Sequence, residues 1–210
     1  MRDAPVGFAF DTPDEVVVTW AERSAAVTHD HAEGIPGAQA TATAIFLARH
    51  GRDRAGIKRA SESQFGYDLG ARLHAIRPTY RFTELCRRTV PQALIAFLES
   101  TDSEDAVRNA ISIGGDADTL ACIAGGVAEV YYGGVPDDLA ARARTLLDRR
   151  LLDVVDRFRA RSARPYSAHT FRARKKGGRP DRSLCPPSTD RNCLCRGGES
   201  NPYTLAGCGF

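Results

Sequence analysis

From residue 12 to residue 158 the apolar positions recur at three- and four-residue intervals, and no segment alternates at period two. The body of the chain is therefore expected to be all-α. Thr12-Pro13-Asp14-Glu15 supplies an N-cap, a proline at the first helical position and an acid in the first turn ahead of Val16, Val17 and Trp20, which predicts a helix from about Pro13 to Val27. A second helix follows Pro36 along Ala38, Ala42, Ile45 and Phe46 and stops near Gly51. Shorter helices are expected at Asp53 to Gln64, Asp68 to Ile76, Pro91 to Leu98 and Glu104 to Ile113. Then come Thr119 to Tyr131 and one long amphipathic run from Pro136 through Leu151, Leu152 and Val155 to Phe158. There is no fixed-period repeat.

Charge divides the chain where the periodicity ends. Of 210 residues, 29 are Lys or Arg and 26 Asp or Glu. Residues 1–158 carry 18 of the basic and 23 of the acidic groups, whereas residues 159–210 carry 11 and 3, so the tail is basic. It also holds Cys185, Cys193, Cys195 and Cys208 amid Arg, Gly, Pro and Ser, and such a composition is expected to be disordered, since it buries too little apolar surface to offset ordering entropy. The cysteines match no zinc-ribbon spacing, and Arg172-Ala173-Arg174-Lys175-Lys176 is expected to be a solvated tether. No apolar run approaches the roughly 20 residues that cross a bilayer, and Met1-Arg2-Asp3-Ala4-Pro5 lacks the apolar block of a secretory leader. A cytoplasmic location, with no membrane partner and no nucleic-acid partner, is the expectation.

Chemistry concentrates in two stretches. In Ser112-Ile113-Gly114-Gly115-Asp116-Ala117-Asp118-Thr119 a predicted helix stops at two glycines, two carboxylates follow, and a threonine opens the next helix. Three hard oxygen donors this close suit a divalent cation or a phosphate, and the glycines allow close backbone approach. Helix capping accounts for one aspartate and not for both. The helix beyond carries a small-residue stripe, Ala121, Ala124, Gly125 and Ala128, that permits tight packing and would hold the acidic corner rigidly. The second stretch is Thr28-His29-Asp30-His31-Ala32-Glu33-Gly34-Ile35-Pro36-Gly37, expected as a loop whose histidines position a polar ligand and do not bind zinc. His50 and His74 are expected to be surface or core histidines, Cys86 and Cys122 reduced packing residues, and Arg77-Pro78-Thr79-Tyr80-Arg81-Phe82 a structural loop, with covering of a nucleotide base as its alternative.

Together the two stretches resemble the ADP-ribosylglycohydrolase family. The segment from Ser112 to Ala121, ending in Glu129-Val130-Tyr131-Tyr132-Gly133, is similar to the family's C-terminal motif, and Thr28 to Ala40 to its Thr-His-Asn-His-Pro-Glu-Gly segment, with Asp30 and Ala32 in place of the asparagine and proline. The resemblance implies an all-α orthogonal helical fold around a cleft with two divalent cations, Mg²⁺ or Mn²⁺. It also implies hydrolysis of the bond that joins ADP-ribose to an acceptor in a modified protein or a small ADP-ribosyl compound. Carried over by position, Asp116, Asp118 and Thr119 would be metal ligands, His29 would line the ADP-ribose site, and Gly114 and Gly115 would lie against the ligand.

The family's earlier Thr-Asp-Asp-Thr motif, which supplies the rest of the cage and the acid that assists cleavage, is missing from this sequence, so no catalytic residue is assigned. The start, Met1 to Gly7, resembles the family's mid-chain Met-Arg-x-x-Pro-x-Gly segment. Residues 1–158 are accordingly expected to be the C-terminal portion of such a domain, incomplete at its N-terminus and impaired in activity, with 159–210 as its tail. The alternative is a non-catalytic, ADP-ribose-binding remnant of the same fold.

Overall fold

A computed structural model describes residues 2–11 and 14–162. Over these residues the chain is all-α, as expected. Ten helices follow in order: α1 (Ala4–Ala9), α2 (Asp14–His29), α3 (Gly34–Arg49), α4 (Arg54–Phe65), α5 (Leu73–Ile76), α6 (Cys86–Leu98), α7 (Ser103–Ile113), α8 (Ala117–Tyr132), α9 (Asp137–Thr145) and α10 (Arg149–Ser162). Thr12 and Pro13, the expected cap of α2, lie outside the described residues, as do the tail cysteines and the Arg172–Lys176 cluster. None of the described helices is long and apolar enough to cross a membrane.

The alanine-rich α3 runs through the middle and touches α1, α2, α4, α6 and α8. Ten of its residues are buried, from Gly37 to Ala48, because side chains this small let helices approach on every side. One apolar cluster joins α3 to α6, α7 and α8 through Ile45, Val90, Leu94, Phe97, Ala106, Leu120, Ile123 and Val127. A smaller one joins α2 to α3 through Val17, Ala21, Ala25, Ala38, Ala42 and Phe46.

The small-residue stripe does what its composition predicts. A methyl at Gly125 would sit 3.2 Å from Val107, and one at Gly126 would sit 3.3 Å from Ile45, so α8 is clasped between α7 and α3. At its far end Gly133, with φ of 82°, closes the helix, and Tyr132 donates to the Ser100 carbonyl at 2.6 Å.

Three expectations need correction, and one helix was not foreseen: the short α1 has too few periods to show in the sequence. The segment expected to be helical from Asp68 keeps only Leu73–Ile76, because side chains claim the backbone N–H groups upstream: Gly70 N–H donates to Asp68 Oδ1 at 2.9 Å and Leu69 N–H to Glu62 Oε1 at 3.4 Å. Helix α6 starts at Cys86, with Pro91 buried inside it and not at its first position. Burial of that ring offsets the one lost hydrogen bond. Finally, the run from Pro136 breaks in two at Leu146–Asp148, where Asp148 Oδ1 takes the Leu151 N–H at 2.8 Å and caps α10. A two-pronged Arg144–Asp156 pair at 2.8 and 2.9 Å ties α9 to α10, which continues to Ser162. Neither of these last helices has a buried residue.

Candidate functional site

The acidic corner sits where α7 ends and α8 begins. Gly114 and Gly115 adopt φ of 80° and 64°, left-handed backbone that a side chain would strain. Gly115 is also obligatory for space: a Cβ there would lie 2.7 Å from the Tyr80 ring and 3.3 Å from the Phe82 nitrogen. Asp116 occupies the N-cap position of α8, yet its side chain makes no capping bond. The simple capping account of this aspartate is therefore wrong. Its carboxyl instead lies beside that of Asp118, within side-chain hydrogen-bonding reach. That interaction, followed by the Thr119 backbone N–H, holds Asp118 below the usual carboxylate range. Asp118 is exposed, and Asp116 and Thr119 are half-buried. Two oxygen-rich side chains thus face each other at the positive end of a helix dipole, with a hydroxyl next in the chain.

The histidine stretch is more helical than expected. Helix α2 continues through His29 and α3 begins at Gly34, so the loop is only residues 30–33. The chain doubles back so tightly that a methyl on Gly34 would lie 2.7 Å from the His29 carbonyl oxygen. His29 Nδ1 and Thr28 Oγ1 are 2.7 Å apart, while His31 Nδ1 accepts the Glu33 N–H at 3.2 Å. Both rings are thereby oriented. This loop forms one wall of a cleft of about 330 Å³, and Glu84, Leu85 and Cys86 form the other.

The segment Arg77–Phe82, expected to be a structural loop, bridges the two motifs together with the residues that follow it to Cys86. At one end Arg77 donates to Ser112 Oγ at 2.8 Å and Asn109 Oδ1 at 3.2 Å, and the buried Tyr80 packs under Gly115. At the other, Leu85 and Cys86 reach the His29 cleft, and Arg87 pairs with Glu33 at 3.7 Å. Its lack of periodicity concealed this; the mixture of Arg with aromatics was the one signal. Asp3 was also missed: it is buried, and its Oδ1 has no hydrogen-bond partner among the described residues.

The remaining candidates fall away from the cleft or serve packing. His50 caps α3 by bonding the Phe46 carbonyl at 2.8 Å. His74 is exposed. Cys86 packs against Gly37 and has its thiol pushed up by burial, whereas Cys122 is exposed and not the packing residue expected. Burial, with Cys86 adding to it, raises the neighbouring Tyr67 hydroxyl to about 12. Among the described residues no three His, Cys, Asp or Glu side chains converge as a metal cage, so Asp116 and Asp118 have no third such partner.

No curated protein matches the chain. The model of the ADP-ribosylglycohydrolase family matches residues 1–168, which takes in both motifs, the bridging segment and every described helix. With that match over most of its length, the chain belongs to the ADP-ribosylglycohydrolase family.

Proposed function

We propose that the chain serves the hydrolysis of ADP-ribosyl bonds, removing ADP-ribose from a modified protein or a small ADP-ribosyl compound with the help of Mg²⁺ or Mn²⁺. The observation that carries the metal assignment is the Asp116–Asp118 pair, with its unspent N-cap carboxylate. Like charges held this close are costly unless a proton or a cation lies between them. Asp116, Asp118 and Thr119 have the hard oxygens that such a cation prefers, although they are fewer than its full coordination takes up. A bound ion would supply charge stabilisation and hold ribose hydroxyls and a water.

The protein's own groups do the rest. The Gly114–Gly115 turn leaves room beside the carboxylates, since nothing lies within 4 Å of the space a side chain on Gly114 would fill. His29, braced by Thr28, offers Nε2 as a polar contact for the sugar. A second function, non-catalytic binding of ADP-ribose, is favoured by the acidic pair's having no third carboxylate or imidazole partner among the described residues.

Incubation of the full chain with an ADP-ribosylated arginine compound and Mg²⁺, followed by chromatography, separates the two. Release of ADP-ribose that stops with chelator supports hydrolysis. Binding of ADP-ribose without release selects the binding function, and neither binding nor release overturns both.

A further inference from the structure

Asp116 opens α8, yet no capping bond from that helix holds its carboxyl. The two residues before it have no side chains to pack, and Gly114 and Gly115 stand at φ of 80° and 64°. The turn is held from outside, at both of its ends, by the segment that follows α5. On the α7 side Arg77 Nε donates to Ser112 Oγ at 2.8 Å and Nη2 to Asn109 Oδ1 at 3.2 Å, and Ser112 Oγ donates in turn to the Asn109 carbonyl at 2.7 Å. On the α8 side the buried Tyr80 ring lies 2.7 Å from the place a Gly115 Cβ would take. The segment is itself stiff. Tyr80 N–H donates to the Ile76 carbonyl at 2.9 Å, Arg81 Nη1 donates to the Pro78 and Tyr80 carbonyls at 3.0 and 2.8 Å, and α5 is anchored by the buried Leu73 and Ile76.

Two side chains thus grip the residues on either side of Gly114, while nothing lies within 4 Å of the space a side chain on Gly114 would fill. Arg77 is exposed, and its hydrogen bonds contribute little to the fold. Their geometric effect falls on the residues that lead into Asp116. We propose that Arg77 and Tyr80 are positioning residues for the divalent ion, holding the Gly114–Gly115 turn so that the Asp116 carboxyl is set beside that of Asp118 before the ion arrives. The inference rests on the metal-assisted function proposed above, and it places part of the ion's affinity in side chains that do not ligate it. Groups that orient metal ligands from outside typically account for about 10- to 100-fold in metal affinity. Charge and geometry predict opposite signs for Arg77. By charge alone, removal of one cation tightens the binding of another, whereas removal of a brace loosens it.

The test is titration of Mn²⁺ into the full chain, followed by electron paramagnetic resonance. Arg77→Ala should weaken Mn²⁺ binding about tenfold with the number of ions unchanged. Arg77→Lys, which keeps the charge and one point of contact, should recover part of that loss. Tyr80→Leu should also weaken binding, and Tyr80→Phe, which keeps the ring, should bind as the wild type does. Circular dichroism establishes that each variant is folded, and should Tyr80→Leu fail to fold, the exposed Arg77 pair decides alone. Val17→Ala, which hollows the α2–α3 cluster, should lower stability and leave Mn²⁺ affinity unchanged. Equal or tighter binding by Arg77→Ala, or wild-type binding by a folded Tyr80→Leu, overturns the positioning role. So does a loss in Val17→Ala as large as that in Arg77→Ala. In each of these cases the metal-assisted function stands. Failure of the wild type to take up Mn²⁺ refutes that function, and this inference with it.

Discussion

The acidic corner and the histidine loop are built alike and finished differently. Each opens a helix rich in small residues, α8 and α3, and each needs a glycine where a Cβ would come within 3 Å of a neighbour, Gly115 against Tyr80 and Gly34 against His29. In the loop the donors and acceptors are largely satisfied locally, with His29 held by Thr28 and His31 by Glu33. In the corner the N-cap side chain makes no capping bond and its carboxyl is left facing another. On the function proposed above, the corner is where an outside charge would bind and the loop is where a ligand would be oriented.

Substitutions that treat the two motifs separately sharpen this contrast. The largest effect should come from Asp116→Ala with Asp118→Ala: hydrolysis of an ADP-ribosyl compound should fall by about 100-fold or more, in line with loss of metal ligation. Thermal unfolding should change far less than activity, because Asp116 makes no capping bond and neither aspartate is buried in the core. Gly115→Ala should do the opposite, destabilising the fold by roughly 1–3 kcal/mol through left-handed backbone and a clash with the Tyr80 ring, read by urea denaturation. Equal stability of this variant and wild type would mean that the bridging segment is not pressed against the corner.

His29→Ala should act on ligand rather than on folding. A weakening of ADP-ribose binding of about tenfold, with an unaltered denaturation midpoint, is the outcome expected for one lost polar contact. A smaller change is predicted for Arg77→Ala, which removes hydrogen bonds to Ser112 and Asn109 at an exposed site and should cost about 1 kcal/mol, measured by denaturation. The smallest is a pH effect. The Asp118 carboxyl is depressed by its hydrogen bond to Asp116 and then by the Thr119 N–H, so its contribution is present above the ordinary carboxylate range and is lost as pH falls through the depressed value. Hydrogen exchange at the start of α8 should therefore quicken below about pH 4, while that of the α2–α3 loop does not follow this titration.

Much of this contrast was legible in the residues themselves. Period-3.6 spacing with Asp53, Asp102 and Gly133 as terminators marks α4, α7 and α8 to within a few residues, because local capping and local periodicity agree there. The acidic pair and the histidine pair stand out for the same reason: their donors are adjacent in the chain. What could not be read is whatever depends on residues far apart. Pro91 looks like a helix start until the buried surroundings that accommodate it are known, and Leu146 and Leu147 look like a continuous helix until Asp148 caps the next one. The Arg77–Cys86 bridge is the clearest case. Its ends are fixed by Ser112 and Gly115 on one side and by Glu33 on the other, contacts between residues dozens of positions apart that no local pattern encodes.

The central claim is that Asp116 and Asp118 together grip a divalent cation, and direct titration of Mn²⁺ followed by electron paramagnetic resonance tests it. Wild-type protein should remove free Mn²⁺ from the spectrum with about one or two ions per chain, and the double alanine variant, still folded, should leave the spectrum of the free ion. Equal uptake by the two proteins, or none by either, would contradict it.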